Sequence, residues 1–395
     1  MSSEESVRSI VQSQVFERKN KTMSSVPQTI VLCMIVKDES PVILRSLQSV
    51  RHIVHKYCIC DTGSTDGTQA LIREYFKKEK LDGKVYEAKW VDFAHNRNIA
   101  FAHAQSAGAD YIMTLDADEV ICPYREGKAC TEEVTCLPDF KGVDRVEFKT
   151  LLGNIIYNRR QFFRSALPWI WKYPIHEICT CSEAKTSLFL PDICNVPRSD
   201  GARSRNPQKY LQDAQALEKF IVTHPTDSRA WFYLAQSYRD AGQPLKAVSI
   251  IDEALKHSKW VEEKYVLHLR KGRYLEQGKA PIEQCILAYL EAYNSRPTRA
   301  EALTSLVNIY RQQDKFHLGI LFGEVLLKQK PSQDILFVEP ETWRWKDNLS
   351  VCYYWVGRYQ EAWQLTSELL QPNGIPEAQR PRVQKNHNYS VIRLT

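Results

Sequence analysis

Tyr57-Cys58-Ile59-Cys60-Asp61-Thr62-Gly63-Ser64-Thr65-Asp66-Gly67-Thr68 decides the fold. A short strand, Tyr57 to Cys60, runs into small and capping residues, and a helical segment follows from Gln69. Upstream, Thr29-Ile30-Val31-Leu32-Cys33-Met34-Ile35-Val36 is a continuous apolar run of strand length, as expected for a parallel strand buried on both faces. Pro41 opens a helical segment through Val50. Downstream, Lys84 to Glu87 reads as a third strand, Asn98 to Gln105 as a helix and Tyr111 to Leu115 as a fourth strand. Strand and helix in regular succession predict a mostly parallel, helix-covered α/β sheet. Residues 1–27 lack periodicity and read as a flexible N-terminal arm ending at Pro27. From about 140 to 200, strand-like pieces mix with loops containing Trp169, Trp171, Pro174 and Pro191, and no element order emerges there.

From Pro207 the strand signals stop and repetition begins. Trp231, Leu234, Ala235, Tyr238, Ala247, Ile251 and Ala254 fall at the spacings of the ~34-residue tetratricopeptide unit. Leu303, Leu306, Tyr310, Gly319, Gly323, Leu326 and Pro331 fit the template again, as do Leu349, Tyr353, Ala362 and Leu369. Ala247, Gly319 and Ala362 mark the places where paired helices cross closely. Residues 261–297 read as a further helical pair. The expected division is an arm over 1–27, an α/β domain over 28–205 and an all-α helical-repeat domain over 206–395.

At 395 residues the chain is too long for one ordinary core. A hydrophobic share of 43% and a charged share of 25% indicate a globular protein. The formal charge of +6 is modest and scattered, so no nucleic-acid partner is implied. Its densest groups are Arg159, Arg160, Arg164 and Arg198, Arg203, Arg205, which suit either a phosphorylated ligand or a solvated face. Eleven cysteines, an odd number, without a leader-like start point to free thiols in a reducing, cytoplasmic setting. Cys58/Cys60 and Cys179/Cys181 lack zinc spacing and read as packing residues on one strand face. No apolar run reaches the roughly 18 residues of a membrane span.

The chemistry-bearing segment is Leu115-Asp116-Ala117-Asp118-Glu119, at the end of an apolar strand. Residues two apart on an extended chain share a face, so Asp116 and Asp118 can present two carboxylates to one side. Hard oxygen ligands of this kind suit Mg or Mn with positions left open for diphosphate oxygens. An Asp-x-Asp triplet alone is a weak pattern. In an open parallel sheet, however, ligands bind outside the carboxyl ends of the strands, where Asp61 and the Asp116/Asp118 pair both fall.

Together these segments resemble the family 2 glycosyltransferases of the GT-A fold, the Rossmann-like catalytic domain built on a D-x-G-S-x-D-G-T turn and a D-x-D strand end. Trp90-Val91-Asp92-Phe93-Ala94-His95-Asn96-Arg97-Asn98 is similar to that family's W-x-x-F-A-x-x-R-N segment, and Pro174-Ile175-His176-Glu177 to its late H-E pair. Asp227-Ser228-Arg229, Phe232 to Tyr238 and Arg296-Pro297-Thr298-Arg299-Ala300-Glu301 resemble the branch of these enzymes carrying C-terminal tetratricopeptide-like repeats.

The resemblance implies a metal-dependent hexosyltransferase moving a sugar from a nucleoside-diphosphate sugar, a UDP-sugar by preference, to a glycan or protein acceptor with inversion. It makes Val36, Asp61, Arg97, Asn98, Asp116 and Ala117 the nucleotide-sugar contacts, with Asp61 at the base. Asp118 and Asp116 become metal ligands for Mn or Mg, with His176 a candidate third. Near Ile193-Cys194-Asn195, where relatives of this layout carry a histidine, this chain has none. Glu177 is the implied base and Asp118 the second catalytic carboxylate. Arg159 or Arg203 would face the leaving diphosphate. The repeats either recruit a protein or glycan acceptor or pair two copies of the chain. Two rivals stand beside this reading. One is an inactive GT-A domain carrying a protein-binding scaffold, against which the intact Arg97, Asp116, Asp118 and Glu177 argue. The other is a sugar nucleotidyltransferase, against which Val36-Lys37-Asp38-Glu39-Ser40 argues by lacking a glycine run.

Overall fold

A computed structural model describes residues 28–153, 155–330 and 342–395. The arm expected over residues 1–27 and the repeat proline Pro331 lie outside the described residues. The chain divides into two compact units, which part between Phe220 and Ile221 within the helix Lys209–Thr223.

Among the described residues, the first unit is built on a nine-stranded sheet in the order β3-β2-β1-β4-β8-β7-β11-β5-β6. Strands β1 (Ile30–Val36), β2 (Lys56–Asp61), β3 (Asp82–Glu87) and β4 (Tyr111–Thr114) are mutually parallel, with Val36 opposite Asp61 and Asp61 opposite Glu87. Helices α1 (Ile43–Val50), α2 (Thr68–Glu79) and α3 (Phe93–Ser106) are the connections. Strand β1 needs apolar residues throughout because both its faces are covered. Ile30, Leu32 and Met34 pack with Ile43, Leu47, Ile72 and Phe76, while Val31 and Cys33 pack with Ala94, Phe101 and Trp171. Cys58 and Cys60 lie in this second core as buried free thiols, in keeping with the packing role read from their spacing. Helix α3 starts at Phe93, ahead of the expected Asn98, because the Asp92 carboxylate caps it by accepting from the His95 N–H at 2.7 Å.

The half that the sequence left without an element order is largely antiparallel. Strand β8 (Ile155–Arg164) runs against β4 and against β7 (Arg145–Leu152), and β11 (Ser187–Pro197) pairs parallel with β7 and antiparallel with β5 (Glu119–Arg125). Strand β6 (Lys128–Ala129) closes that edge. A separate ribbon joins β9 (Ile170–Lys172) to β10 (Ile178–Thr180). The sheet is therefore mixed, parallel on the side that ends in the aspartates and, beyond β4, antiparallel except where β11 pairs with β7.

The second unit is helical. Ser228–Asp240 pairs with Pro244–His257, Val261–Gln277 with Ile282–Ser295, Glu301–Gln312 with Phe316–Lys328, and Thr342–Trp355 with Tyr359–Leu369, before a final helix Arg380–Leu394. Ala247 and Ala362 are buried as the template requires. At Gly319 the closest approach is to the following helix: a Cβ there would come within 2.7 Å of Cys352 Sγ and 3.7 Å of the Val307 carbonyl oxygen. No helix among the described residues is long and apolar enough to cross a membrane.

Candidate active site

The carboxyl ends of the parallel strands gather the acidic residues. Asp61 closes β2 and is 1% exposed. Its Oδ1 accepts from the Gly63 and Ser64 N–H groups at 2.9 Å each, and its Oδ2 is buried with no protein partner. Beside it, the Val36 carbonyl accepts from both the N–H and the hydroxyl of Thr62, at 2.9 and 3.1 Å. The turns after β1 and β2 are laced together: Ser64 Oγ accepts from the Asp38 N–H, Thr68 Oγ1 from Glu39, and Asp66 from Ser40. This interlacing explains the Ser, Thr and Asp content of residues 61–68 beyond a simple helix cap.

Two residues beyond β4, Asp116 lies between two arginines. Arg97, on the buried face of α3, donates from Nη2 to Asp116 Oδ1 at 2.7 Å and from Nε to Glu177 Oε1 at 2.6 Å. Arg159, on β8, donates to Asp116 Oδ2 at 3.2 Å and to Glu119. Glu177, Arg97, Asp116, Arg159 and Glu119 thus form a chain of alternating charge. Burial would raise the Asp116 carboxyl, but Arg97 and Arg159 hold it well below the usual carboxylate range. Asn98, four-square on the same helix, is spent on the backbone of Trp171: its amide donates to the carbonyl at 2.9 Å and its oxygen accepts from the N–H at 2.8 Å. It ties α3 to β9.

Asp118 points to a different neighbourhood. Its backbone carbonyl accepts from the Arg198 N–H at 2.9 Å and its Oδ2 from the Gly201 N–H at 3.4 Å. Glu39 Oε2 accepts from the Ala202 N–H at 3.1 Å. A Cβ on Gly201 would lie 3.1 Å from Glu39 Oε2 and 3.3 Å from Asp118 Cγ, so both carboxylates approach the face of this glycine that a side chain would occupy. Burial, reinforced by the charge of Asp118, pushes the Glu39 carboxyl up to about 7. Burial and the charge of Asp116 raise Asp118 in the same way. Ala117, between the aspartates, is buried.

The expected metal trio does not assemble. Among the described residues no three His, Cys, Asp or Glu side chains are placed to hold a metal ion. Both Asp116 oxygens are taken by arginines, and His176 sits at a positive φ of 53° beside Glu177, which turns to Arg97. The donor pair that fits a hard divalent cation is Asp118 with Glu39, oxygen ligands that would leave other positions to ligand oxygens. Arg203, read as a diphosphate contact, is paired with Asp213 and lies over the Phe93 ring at 4.7 Å. Sequence reasoning gave no role to Glu39 or to Glu119. Glu39 lies in the segment read only for its missing glycines, and Glu119 shows its part only once β8 brings Arg159 alongside.

Residues 31–126 match the model of glycosyl transferase family 2, and residues 216–249 match that of the tetratricopeptide repeat. The family 2 segment holds Asp61, Arg97, Asp116 and Asp118, and stops short of Glu177. A TPR repeat-containing protein of Synechococcus elongatus is 26% identical over 308 residues, covering 74% of this chain and 72% of its own. An uncharacterized glycosyltransferase of Rickettsia conorii is 30% identical over 95 residues, 24% of this chain and 30% of that protein. Among solved structures, MamA from Desulfovibrio magneticus is 15% identical with a TM-score of 0.33, over 45% of this chain and 88% of that one. The chain therefore carries a family 2 glycosyltransferase domain over residues 31–126 and a tetratricopeptide repeat over residues 216–249.

Proposed function

We propose that the first unit transfers a sugar from a nucleoside-diphosphate sugar to a hydroxyl of a glycan or protein acceptor, with inversion at the anomeric carbon. The observation that carries this reading is the placement of Asp61, Asp116 and Asp118 beyond the carboxyl ends of the parallel strands β2 and β4, with Arg97 and Arg159 on Asp116. Asp61 Oδ2, buried and without a protein partner, is an acceptor suited to a ring N–H, which uracil carries and cytosine lacks, in keeping with a UDP-sugar. Glu177, kept beside the Arg97 guanidinium, takes the proton of the acceptor hydroxyl as its oxygen attacks the anomeric carbon and the bond to the diphosphate breaks. The nucleoside diphosphate leaves with the electron pair. A Mg or Mn ion held by Asp118 with Glu39 would supply positive charge toward that leaving group. The eleven free thiols, Cys122 and Cys194 lying 3.5 Å apart among them, suit a reducing compartment such as the cytoplasm.

The test is a thermal-shift panel of UDP, GDP, CDP and TDP and their sugars, with and without Mn, on the wild type and Asp118→Asn. Stabilisation by uridine nucleotides that grows with Mn and disappears in the variant is expected. Folded protein that responds to no nucleotide would turn the reading toward an inactive domain serving the helical scaffold.

A further inference from the structure

Among the buried thiols of the first unit, two face each other across a strand pair. Cys122 on β5 and Cys194 on β11 are direct cross-strand partners, and their sulfurs lie 3.5 Å apart. Both are free, at 4% and 0% exposure. Residues directly opposite in an antiparallel pair have Cα atoms about 4.5–5.5 Å apart, inside the ~4.4–6.8 Å that a disulfide spans. The register shift between Leu190 and Cys194 interrupts the ladder toward β7, which lets β11 adjust as the sulfurs close to the ~2 Å of a bond. The two thiols are not equivalent. The hydrogen bond with Cys194, helped by the charge of Arg198, pulls the Cys122 thiol below its ordinary value against the cost of burial. The thiolate is the nucleophile, so Cys122 reacts first and Cys194 resolves. Access comes from the sheet edge, where β5 is flanked only by the two residues of β6, a pairing short enough to open locally to a molecule the size of peroxide.

The pair bears directly on the candidate site. From Cys122 and Cys194 the register runs through Ile121–Asn195 and Val120–Val196 to Glu119–Pro197, about 10 Å along the strands. The next rungs are the Arg198 N–H on the Asp118 carbonyl at 2.9 Å and the Gly201 N–H on Asp118 Oδ2 at 3.4 Å. The thiols therefore join the strand that follows Asp118 to the strand that leads to Gly201.

We infer that Cys122 and Cys194 are an oxidative modification site, converted by hydrogen peroxide to a disulfide that clamps the Asp118 strand to the segment leading to Gly201. The Cys122 thiolate attacks one peroxide oxygen, the O–O bond breaks and hydroxide leaves, giving a sulfenic acid. The Cys194 sulfur then attacks the Cys122 sulfur and expels that oxygen as water. Two thiols lose two electrons and two protons, and one peroxide becomes two waters. A dithiol reverses the link by exchange. Holding the Gly201 N–H on Asp118 Oδ2 keeps that oxygen from a cation. This last effect rests on the nucleotide-sugar reading of the first unit; the link itself does not.

The test treats the full chain with hydrogen peroxide, blocks free thiols, digests with trypsin without reduction and weighs the peptides. Trypsin leaves Cys122 in residues 98–125 and Cys194 in residues 186–198, apart from Cys130 and Cys136 in residues 129–141. A linked pair of the first two, lost with dithiothreitol, is expected. Both peptides blocked singly, or a link to 129–141 in its place, overturns the assignment, and neither result depends on a variant that folds. Cys194→Ser should leave a sulfenic acid on residues 98–125 that a cyclic diketone traps; its absence in folded variant overturns the order of attack. Amide exchange over residues 199–205 should slow at least tenfold in the oxidised chain, and unchanged exchange overturns the clamp. With Mn, the oxidised chain should need at least tenfold more UDP than the reduced chain for equal thermal stabilisation, and equal responses likewise overturn it. A reduced chain that ignores UDP counts against the nucleotide reading alone, because peptide masses and amide exchange decide the link and the clamp without nucleotide.

Discussion

The buried Arg97 pairs with the half-buried Asp116, Nη2 donating to Asp116 Oδ1 at 2.7 Å while Nε of the same guanidinium holds Glu177 at 2.6 Å. One side chain thus fixes a carboxylate after β4 and another before β10, segments about 60 residues apart in sequence. Arg97→Met would leave two carboxylates short of a partner. The cost of breaking a buried pair is about 3–5 kcal/mol, or a fall in Tm on the order of 10 °C for a unit of this size. Arg97→Lys should fall between, because an ammonium cannot present the planar fork that serves both acids. Denaturant midpoints of the three proteins check the order.

Asp116 and Asp118 lie two residues apart and should respond oppositely to neutralisation. Asp116 has a folded pKa held below its ordinary value, so its contribution to stability is present above that value and is lost as pH falls through the folded one. Asp116→Asn should therefore lower Tm at pH 7.5. Asp118 is raised by burial and by Asp116, so the folded protein binds its proton more tightly and stability falls as pH rises from the ordinary value through the folded one. Asp118→Asn removes that penalty, and its Tm at pH 7.5 should match or exceed the wild type, with the difference shrinking toward pH 4. Melts at both pH values read the sign directly; a lower Tm for Asp118→Asn at pH 7.5 would contradict the argument.

Asp110 closes the start of β4 onto the start of β1. Its Oδ2 accepts from the Thr29 N–H at 2.8 Å and the Thr29 hydroxyl at 3.0 Å, and the Thr29 backbone donor pulls the carboxyl below its ordinary value. Stability from this pair is present above the ordinary carboxylate range and lost as pH drops through the folded value. Asp110→Asn should cost about 1–3 kcal/mol at pH 7, as expected for hydrogen bonds to a charged acceptor, and progressively less toward pH 2. Urea midpoints across that range test it.

Legibility followed the range of the interaction. The Thr29 to Val36 run and the Asp61 to Thr68 turn announce the parallel half, because a strand buried on both faces and a strand-to-helix turn are each written in consecutive residues. The repeat template likewise survives in spacings such as Ala247, Ile251 and Ala254. Although β7 and β8 form a local hairpin, the antiparallel half escaped because β11 joins β7 and β5 from farther along the chain, with a register shift between Leu190 and Cys194 that interrupts the alternation. The charge chain escaped for a related reason. Arg159 and Glu119 become neighbours only when β8 pairs beside β4, and nothing in the local sequence of either names the other.

Two glycines of the helical unit separate steric demand from conformational freedom. Gly272 and Gly323 both lie within helices at ordinary backbone angles, so alanine should gain up to about 1 kcal/mol of helix propensity at either. At Gly272 the new Cβ would stand 2.5 Å from Cε1 and 2.7 Å from Cζ of Tyr289, a ring that is 1% exposed and held by Glu276 through its hydroxyl. A planar ring tethered at its far end cannot turn aside, and overpacking of this kind costs about 1–3 kcal/mol. At Gly323 the encounter is with the two methyls of Leu349, at 2.5 and 2.9 Å, which can change rotamer. Gly272→Ala should therefore destabilise more than Gly323→Ala. Adding Tyr289→Leu to Gly272→Ala should recover part of the loss, because the obstacle is then flexible. Guanidinium midpoints for the two single variants and the double variant decide it: equal losses at both glycines, or no recovery in the double variant, would mean that the Tyr289 ring is not what keeps residue 272 a glycine.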